Sequence, residues 1–296
     1  MPVPQRIAVT GASGLIGTAL VGHLKSEGHT VQRLVRRVPV SSDEVQWDPQ
    51  TGFVDLEPLR GVDAIIHLAG AGVGDKRWNK KYKSEILNSR LLGTTAIAHA
   101  VAELKPQVFI SSSAIGWYGE SGNRAVVETD RAGDDFLAAV CREWEAAADL
   151  AGDTRTVKIR TGLVLDPTGG ALGKMLPLFR LGLGGKMGNG KQWWSWITLH
   201  DQIRAIVFAL ENPISGSVNL TAPNPVTNQE FTSALARAMH RPAVFPAPSF
   251  ALKIALGGFS SEILGSKRVI PHVLQEAGFT WDYPHISEAL AALVEH

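Results

Sequence analysis

Residues 6–17 read R-I-A-V-T-G-A-S-G-L-I-G, and this stretch decides the fold. The apolar run I-A-V is typical of a short buried strand, and an apolar helical pattern follows until Gly28. Between them, Gly11 allows a tight turn, Gly14 lets backbone N–H groups approach a pyrophosphate, and Gly17 allows the helix to pack closely on the sheet. Strand, turn and helix come in the order that dinucleotide binding requires. The stretch therefore predicts a phosphate-binding loop at a helix N-terminus, with a glycine-rich turn that binds nothing as the alternative.

Length and composition limit the class of protein. A chain of 296 residues with 45% hydrophobic residues can bury a large core. Its net charge of +1 gives no reason to expect nucleic acid or a membrane surface as a partner. The single cysteine, Cys141, excludes an internal disulfide, and no apolar stretch approaches the ~20 residues of a membrane helix. The first strand begins too early to leave room for a signal peptide, so we expect a cytoplasmic protein.

A basic pair follows the second predicted strand. Residues 30–35 form this strand, which runs directly into Arg36 and Arg37. In an NAD-specific site, this strand end carries an acidic residue that binds the ribose 2′-hydroxyl. Arginine instead suits a 2′-phosphate, which it binds through paired, charge-assisted hydrogen bonds. The sequence therefore predicts NADP(H) as the cofactor, and two solvated loop arginines are the alternative.

Further strands alternate with helical segments through the first half of the chain. Strands are predicted at residues 45–48, 63–68, 108–110 and 157–159, and helices at residues 82–104 and 134–151. This alternation indicates an α/β protein with a Rossmann-like, doubly wound parallel sheet. We assign residues 1–165 to an NADP-binding domain and residues 166–296 to a smaller C-terminal α/β substrate domain.

The pattern changes after the sixth predicted strand. Residues 166–190 are rich in glycine and are predicted to form a functional loop rather than a core element. Four basic residues in and beside this segment suit a phosphate or carboxylate group of a substrate, although a solvated basic loop is the alternative. They are Lys174, Arg180, Lys186 and Lys191. Helices at residues 200–210, 229–239 and 287–294 and a strand at residues 218–220 complete the prediction.

Other polar and aromatic residues are assigned structural roles. His67 lies at a strand end, and Asp201 is a favourable residue for the first turn of a helix. Trp193, Trp194 and Trp196 suit an aromatic wall, but alternation along a strand predicts that at least one belongs to the core. No cluster of His, Cys, Asp and Glu has the spacing of metal ligands, so no metal site is expected.

Motifs spread over nearly the whole chain carry a family resemblance. They are T-G-A-S-G-L-I-G, H-L-A-G, S-S-S-A-I-G-W-Y-G, R-T-G-L-V-L, the glycine-rich stretch after Gly169, and W-I-T-L-H-D. The chain resembles the extended short-chain dehydrogenase/reductase superfamily of nucleotide-sugar epimerases and dehydratases. More narrowly, it is similar to the subfamily labelled "epimerase family protein", with its characteristic C-terminal domain at about residues 246–296. The resemblance implies an NADP(H)-dependent oxidoreductase or epimerase that acts on a hydroxyl or carbonyl carbon of a nucleotide-sugar or phosphorylated substrate, and it allows a homodimer.

The resemblance also implies which residues hold the cofactor. On the phosphate side they are Gly11, Ser13, Gly14, Leu15, Ile16 and Gly17. Arg36 and Arg37 match the 2′-phosphate positions. The adenosine half corresponds to Leu68, Ala69 and Gly70. Glu85, Arg90 and Val164 match further cofactor positions, and a surface ion pair between Glu85 and Arg90 is the alternative.

The superfamily's catalytic trio is only partly present. It consists of a Ser or Thr, a Tyr that acts as general acid and base, and a Lys, the last two in the motif Y-x-x-x-K. Ser113 matches the serine position. On the helix that follows, F-L-A-A-V-C-R-E-W-E places Leu137 and Cys141 at the Tyr and Lys positions, or Phe136 and Val140 one residue earlier. Neither register supplies an acid or a base.

The missing pair leaves two hypotheses. Tyr118 follows Ser113 by five residues and offers a phenol for proton transfer, with a packed loop tyrosine as the alternative. Otherwise the chain is an NADPH-binding regulatory or scaffold protein without turnover. Cys141 is not expected to act as a nucleophile, because a lone cysteine on an apolar helix is usually a small buried residue.

Overall fold

The computed structural model describes residues 4–294 and contains one large sheet with helices on both faces. The strands of the first part of the chain are β1 (Arg6–Thr10), β2 (Thr30–Val35), β3 (Glu44–Asp48), β4 (Phe53–Val54), β5 (Ala64–His67), β6 (Val108–Ala114), β7 (Ala125–Val126), β8 (Arg155–Thr161) and β9 (Leu163–Asp166). Its helices are α1 (Leu15–Ser26), α2 (Lys80–Leu104) and α3 (Phe136–Ala148). Short 3-10 turns occur at Glu57–Leu59, Ile115–Tyr118 and Asp149–Ala151.

The rest of the chain adds short strands and seven further helices within the described residues. The strands are β10 (Trp193–Trp194), β11 (Trp196–Thr198), β12 (Gly216–Leu220), β13 (Val226–Thr227) and β14 (Arg268–Val269). The helices are α4 (Gly170–Arg180), α5 (Leu199–Glu211), α6 (Asn228–Ala238), α7 (Ser249–Leu256), α8 (Ser260–Leu264), α9 (His272–Glu276) and α10 (Ile286–Val294). No helix described here has the length and apolar character needed to cross a bilayer.

The strand order of the main sheet is β12-β8-β6-β5-β1-β2-β3-β4. All neighbours pair in parallel except β3 and β4, which are antiparallel. The six predicted parallel strands are confirmed, and β12 extends the sheet from the region assigned to the smaller domain. That division at residue 165 stays a prediction. The chain runs outward from β1 to β3 and then returns to β5, so the strand order reverses between β1 and β5, where open α/β sheets bind ligands.

Alternate residues of each strand pack on opposite faces of the sheet. Ile7 and Val9 of β1 belong to the core that contains α1 and α5, whereas Ala8 belongs to the core that contains α2. Ile65 of β5 and Phe109 of β6 lie in the same core as Ala8. Both faces of the sheet are therefore covered by packed residues, and a ligand can approach at the ends of the strands.

The glycine-rich segment contains a helix, so the prediction of a loop over residues 166–190 was wrong. Residues 170–180 form α4, whose core face consists of Leu172, Met175, Leu176 and Phe179. These residues follow the i, i+3, i+4, i+7 spacing of an amphipathic helix, and they pack in a separate core against α6 and α10. The apolar spacing was present in the sequence, but the glycine content obscured it.

Candidate functional site

A cleft of about 330 Å³ opens at the carboxyl ends of the central strands. Its walls come from the glycine-rich loop, the ends of β5 and β6, and the segment after β8. The lining residues are Gly11, Gly14, Leu15, Ile16, Gly17, Leu68, Ser112, Gly162, Leu163, Val164, Gly170 and Ala171. This cleft, which we call the nucleotide cleft, therefore brings together Leu68, Val164 and the predicted phosphate-side residues other than Ser13. Ala69 and Gly70 follow Leu68 in the chain but are not among the lining residues.

The glycines of the loop have two different physical roles. Gly11 has a φ of +67°, and a Cβ there would lie 2.8 Å from the carbonyl carbon of Leu68. A Cβ at Gly17 would lie 2.1 Å from the carbonyl oxygen of Gly11, so close packing within the protein itself requires both glycines. A Cβ at Gly14 would meet only that same oxygen, at 3.4 Å. The space above Gly14 is therefore open for a ligand to approach the backbone.

The start of α1 leaves polar backbone groups available in the cleft. Gly14 is the N-cap residue and provides no side-chain hydrogen bond to the first turn. The first N–H groups of a helix have no partner within it, and they carry the positive end of the helix dipole. These free N–H groups suit a pyrophosphate, and the open space above Gly14 lets the same ligand come close to the backbone.

Buried hydrogen bonds fix the backbone on the predicted adenosine side of the cleft. The Thr10 Oγ1 accepts hydrogen bonds from the backbone N–H groups of Leu68 and Ala69, at 3.1 and 3.3 Å. It also lies 2.8 Å from Nδ1 of His67. Burial lowers the pKa of His67 to about 3, so the ring is neutral and its Nδ1 can accept a hydrogen bond from the Thr10 hydroxyl. His67 thus has a structural role, as predicted, and that role is to hold this part of the cleft.

The two arginines after β2 have different surroundings. Arg37 donates to both carboxylate oxygens of Glu44, at 2.7 and 2.8 Å. Arg36 is exposed and makes no hydrogen bond or ion pair within residues 4–294. Because Thr10 pairs with Leu34 in the parallel register, Arg36 emerges beside the glycine-rich loop. Of the two predicted residues, Arg36 is the one whose guanidinium is free to bind a 2′-phosphate.

Glu85 and Arg90 do not pair with each other, so the surface ion pair considered for them is wrong. Glu85 is exposed and lies 3.2 Å from Lys76 Nζ. Arg90 donates to the carbonyl oxygen of Ala71 at 2.9 Å, and burial lowers the pKa of its guanidinium. Arg90 therefore braces the backbone immediately after the adenosine-side positions. Direct contacts of Glu85 or Arg90 with a cofactor stay predictions.

Strand alternation directs neighbouring serines of β6 to opposite sides. Ser112 lines the nucleotide cleft, a position that the sequence reasoning missed. Ser113 is buried, and its hydroxyl donates to Oε1 of Glu145 at 2.7 Å. Glu145 also accepts two hydrogen bonds from the Arg160 guanidinium, at 2.8 and 2.9 Å. Ser113 is therefore part of a buried ionic network.

Tyr118 belongs to the same network. Its hydroxyl donates to Oδ1 of Asn219 at 2.7 Å and accepts from Nη1 of Arg160 at 3.0 Å. The side chain is 3% exposed, and burial raises the pKa of its phenol to about 12. A buried phenol that uses its hydroxyl in two hydrogen bonds is poorly suited to exchange protons near neutral pH. The contacts match the packed-tyrosine alternative, and the catalytic roles of Ser113 and Tyr118 stay predictions.

The helix positions that carry Tyr and Lys in the superfamily are apolar here. Leu137 and Cys141 are buried and lie against Gly116, where a Cβ would be 3.2 Å from Leu137 Cβ and 3.5 Å from Cys141 Sγ. Burial raises the pKa of the Cys141 thiol to about 12. Cys141 is therefore a protonated thiol at neutral pH, in agreement with the expectation that it is not a nucleophile.

The C-terminal segment adds a partly buried ion pair that the sequence reasoning missed. Lys267 Nζ lies 2.9 Å from Oε2 of Glu262, and the lysine side chain is 6% exposed. Burial is the main reason for the raised pKa of the Cys141 thiol, and the negative charges of Glu145 and then Glu262 raise it further. The Ser195 hydroxyl donates a hydrogen bond to the carbonyl oxygen of Lys267. The carbonyl oxygen of Ser195 accepts a hydrogen bond from the backbone N–H of Leu163, which lies in the cleft wall. No local motif signals this pair, because tertiary packing alone brings these segments together.

The four predicted basic residues are dispersed. Lys174 Nζ lies 3.5 Å from the carbonyl oxygen of Gly74, and Lys186 lines a separate pocket of about 220 Å³ against α6. Arg180 and Lys191 are exposed. None of the four lines the nucleotide cleft, so their role in substrate binding stays a prediction. Trp196 is fully buried, as alternation predicted for at least one of the three tryptophans.

A polar cluster outside the cleft has a structural explanation. Oxygen and nitrogen atoms of His200, Asp201 and Asp282 lie within 4.8 Å of one another. Nη1 of Arg204 already supplies a positive charge there, at 2.9 Å from Asp201 and 3.2 Å from Asp282. Asp201 also accepts the backbone N–H groups of Asp282 and Tyr283, so it fixes the C-terminal segment. The first-turn role predicted for Asp201 was therefore incomplete.

Comparison with known proteins identifies the family. The sequence pattern of the NAD dependent epimerase/dehydratase family matches residues 7–221, and that of a domain of unknown function, DUF1731, matches residues 247–293. The chain belongs to the NAD-dependent epimerase/dehydratase family. The family match covers the whole nucleotide cleft, and the second match agrees with the C-terminal domain expected from the resemblance.

Relatives within the epimerase family span almost the full chain. Epimerase family protein ML0860 of Mycobacterium leprae is 44% identical over 290 residues, which cover 96% of this chain and 94% of the relative. The crystal structure of human epimerase family protein SDR39U1 (isoform 2) with NADPH has a TM-score of 0.90 and 34% identity, over 98% of this chain and 99% of that one. A nucleoside-diphosphate sugar epimerase from Corynebacterium glutamicum has a TM-score of 0.78 and 35% identity, over 99% of this chain and 58% of that one.

Proposed function

We propose that the nucleotide cleft binds NADP(H), and that the protein transfers a hydride between this cofactor and a hydroxyl or carbonyl carbon. The observation that carries the proposal is the free guanidinium of Arg36 beside a glycine-rich loop with open space above Gly14. The human relative solved with NADPH supports the same cofactor. When bound, NADP(H) supplies or accepts a hydride at C4 of its nicotinamide.

The residues of this chain would bind and orient the cofactor. The backbone at Gly14 and the start of α1 would bind the pyrophosphate, and Arg36 would bind the 2′-phosphate. Leu68 and Ala69, fixed by Thr10, would lie against the adenosine half. Ser112 is the polar side chain that β6 directs into the cleft.

The substrate is proposed from its chemistry. The Corynebacterium relative is described as a nucleoside-diphosphate sugar epimerase, which supports a nucleotide-sugar or phosphorylated substrate with an anionic group. We propose a cytoplasmic location, consistent with the single buried cysteine, and a homodimer as the assembly.

A second candidate function is NADPH-dependent regulation without turnover. The observation that favours it is that the side chains expected to transfer a proton are either missing or already hydrogen-bonded within the protein. Neither register of the helix, Leu137 with Cys141 or Phe136 with Val140, supplies the Tyr and Lys of the superfamily. The hydroxyls of Ser113 and Tyr118 already have partners within the buried network. In this case cofactor occupancy, rather than a reaction, would be the functional signal.

Two measurements on the purified protein test these functions. Fluorescence titration with NADPH and with NADH should show tighter binding of NADPH, and equal weak binding would contradict the cofactor proposal. Oxidation of bound NADPH is then followed at its near-ultraviolet absorbance with a panel of nucleotide-sugar carbonyl compounds. Turnover with any member supports the oxidoreductase, whereas NADPH binding with no turnover across the panel favours the regulator.

A further inference from the structure

The connection between β2 and β3 is unusually short for two parallel strands. The strands pair in parallel, with Val35 opposite Gln46, yet residues 36–43 that join them form no helix. A parallel crossover usually needs a dozen or more residues and contains a helix that packs on the sheet. Something other than helix packing must therefore fix the shape of this connection, which carries Arg36.

Glu44 supplies that support. It begins β3, and its side chain is only 2% exposed. One carboxylate oxygen accepts from Nη2 of Arg37 at 2.7 Å, and the other accepts from Nη1 of Arg37 at 2.8 Å and from the backbone N–H of Val40 at 2.9 Å. Arg33 Nη2 lies 3.3 Å from the same carboxylate. Hydrogen bonds from Arg37 and Val40 lower the pKa of Glu44, so it is ionised at neutral pH.

Asp43 supports the same connection from the neighbouring position. Its carboxylate accepts from Nε and Nη2 of Arg33, at 3.1 and 2.9 Å, and from the hydroxyl of Ser41 at 2.6 Å. Arg33 and Arg37 are thus both neutralised by acidic partners, which leaves Arg36 as the unpaired arginine of the three within the described residues. Residues 37–44 form what we call the carboxylate clamp.

We propose that Glu44 is a specificity-determining residue, which closes the carboxylate clamp and thereby positions Arg36 to select a cofactor with a 2′-phosphate. The inference rests on the proposed function, because it requires that the nucleotide cleft binds NADP(H). Glu44 itself does not contact the cofactor. It acts by holding the Arg37 side chain and the backbone at Val40. These contacts fix the path of the chain next to Arg36, and so the direction in which the Arg36 side chain leaves the backbone.

A double-mutant cycle on the full chain tests the proposal. The dissociation constants of NADPH and NADH are measured by fluorescence titration for wild type, Glu44→Gln, Arg36→Ala and the double variant. Gln keeps the size of Glu44 but removes its charge and turns one acceptor into a donor. We expect Glu44→Gln to weaken NADPH binding about tenfold and to leave NADH binding unchanged. In the Arg36→Ala background, the same substitution should change neither constant.

Controls separate this effect from simple charge removal and from loss of folding. Glu57→Gln removes an equal charge at an exposed site, in a turn away from the nucleotide cleft, and should leave both constants unchanged. Thermal unfolding of each variant shows whether it is folded. If Glu44→Gln does not fold, Arg37→Ala opens the clamp from its exposed side and should lower the NADPH preference in the same direction.

The outcomes distinguish the inference from the proposed function. Equal binding of NADPH and NADH by wild type would contradict the cofactor proposal itself. A wild-type preference for NADPH that Glu44→Gln leaves intact, or strengthens because released Arg37 binds the phosphate, would overturn the role of Glu44. An effect of Glu44→Gln that persists without Arg36 would overturn it as well.

Discussion

The same substitution at two glycines of the phosphate-binding loop should have opposite consequences. At Gly17, the new methyl carbon would lie 2.1 Å from the carbonyl oxygen of Gly11. Relaxed non-bonded contacts of carbon lie at roughly 3.5 Å, so the helix and the loop would have to separate by about 1.4 Å. Overpacking typically costs about 1–3 kcal/mol, and the upper value applies here because the clash is with a backbone oxygen. The greater helix propensity of Ala returns about 1 kcal/mol. Gly17→Ala should therefore lower the free energy of unfolding by about 2 kcal/mol.

At Gly14, the methyl carbon would lie 3.4 Å from the same oxygen and requires little movement of the protein. Ala is a weaker N-cap residue than Gly, so we expect a loss of stability below about 1 kcal/mol. The methyl would, however, occupy the space through which a pyrophosphate approaches the backbone. Gly14→Ala should therefore weaken NADPH binding at least tenfold, roughly 1.4 kcal/mol, while the fold is retained.

Thermal unfolding and NADPH titration of both variants form the assay. For a chain of this size, a loss of about 2 kcal/mol lowers Tm by roughly 3 °C. Gly17→Ala should show that decrease, and Gly14→Ala should show a near-normal Tm with weak NADPH binding. Wild-type NADPH affinity in Gly14→Ala would refute the placement of the cofactor, and an unchanged Tm in Gly17→Ala would refute the packing argument.

Two further predictions concern the buried polar groups. Tyr118→Phe leaves Oδ1 of Asn219 without its hydrogen-bond donor. The variant should therefore lower the free energy of unfolding by about 1–3 kcal/mol and leave the NADPH dissociation constant unchanged. Loss of turnover without loss of stability would instead support a catalytic phenol. The pKa of His67 is lowered from 6.5 to about 3, so the unfolded chain binds a proton first as the pH falls. The stability that His67 contributes is complete above pH 6.5 and is lost on acidification, by about 2 kcal/mol between pH 7 and 5. Denaturant unfolding at both pH values checks this, since His67→Gln should remove that part of the pH dependence.

The Rossmann half of the fold and the location of the cleft were predictable from sequence. Strand, glycine-rich turn and helix at residues 6–28 are local signals, and the distinction between Gly11, Gly14 and Gly17 follows from known backbone requirements. The sequence did not predict that the Arg36 side chain has no hydrogen-bond or ion-pair partner among the described residues. This free state depends on Glu44 binding the adjacent arginine, and no local rule tells which of two neighbouring arginines finds a buried partner.

The features that sequence reasoning did not find depend mostly on contacts between distant segments. Ser113 and Tyr118 matched a motif, yet their hydroxyls bind Glu145, Arg160 and Asn219, which come from three other elements. Arg160 on a buried strand was the available signal, because a charge at such a position requires a partner. Helix α4 was missed for a different reason, since its apolar spacing was local but interrupted by glycines and a proline.

The central claim is that Arg36 makes this cleft specific for a cofactor with a 2′-phosphate. The direct measurement is the ratio of NADH to NADPH dissociation constants for wild type and for Arg36→Ala, with Arg60→Ala as a control. Arg60 pairs with Glu57 in the turn that contacts Arg6, at the end of β1 remote from the cleft. Loss of the charge-assisted hydrogen bonds is worth ~1.5–3 kcal/mol, which corresponds to a tenfold to hundredfold change.

We predict that wild type and Arg60→Ala share a strong preference for NADPH. In Arg36→Ala, that preference should fall by this factor through weaker NADPH binding, with NADH binding unchanged. A preference for NADPH that survives in Arg36→Ala, or its absence in wild type, would contradict the claim.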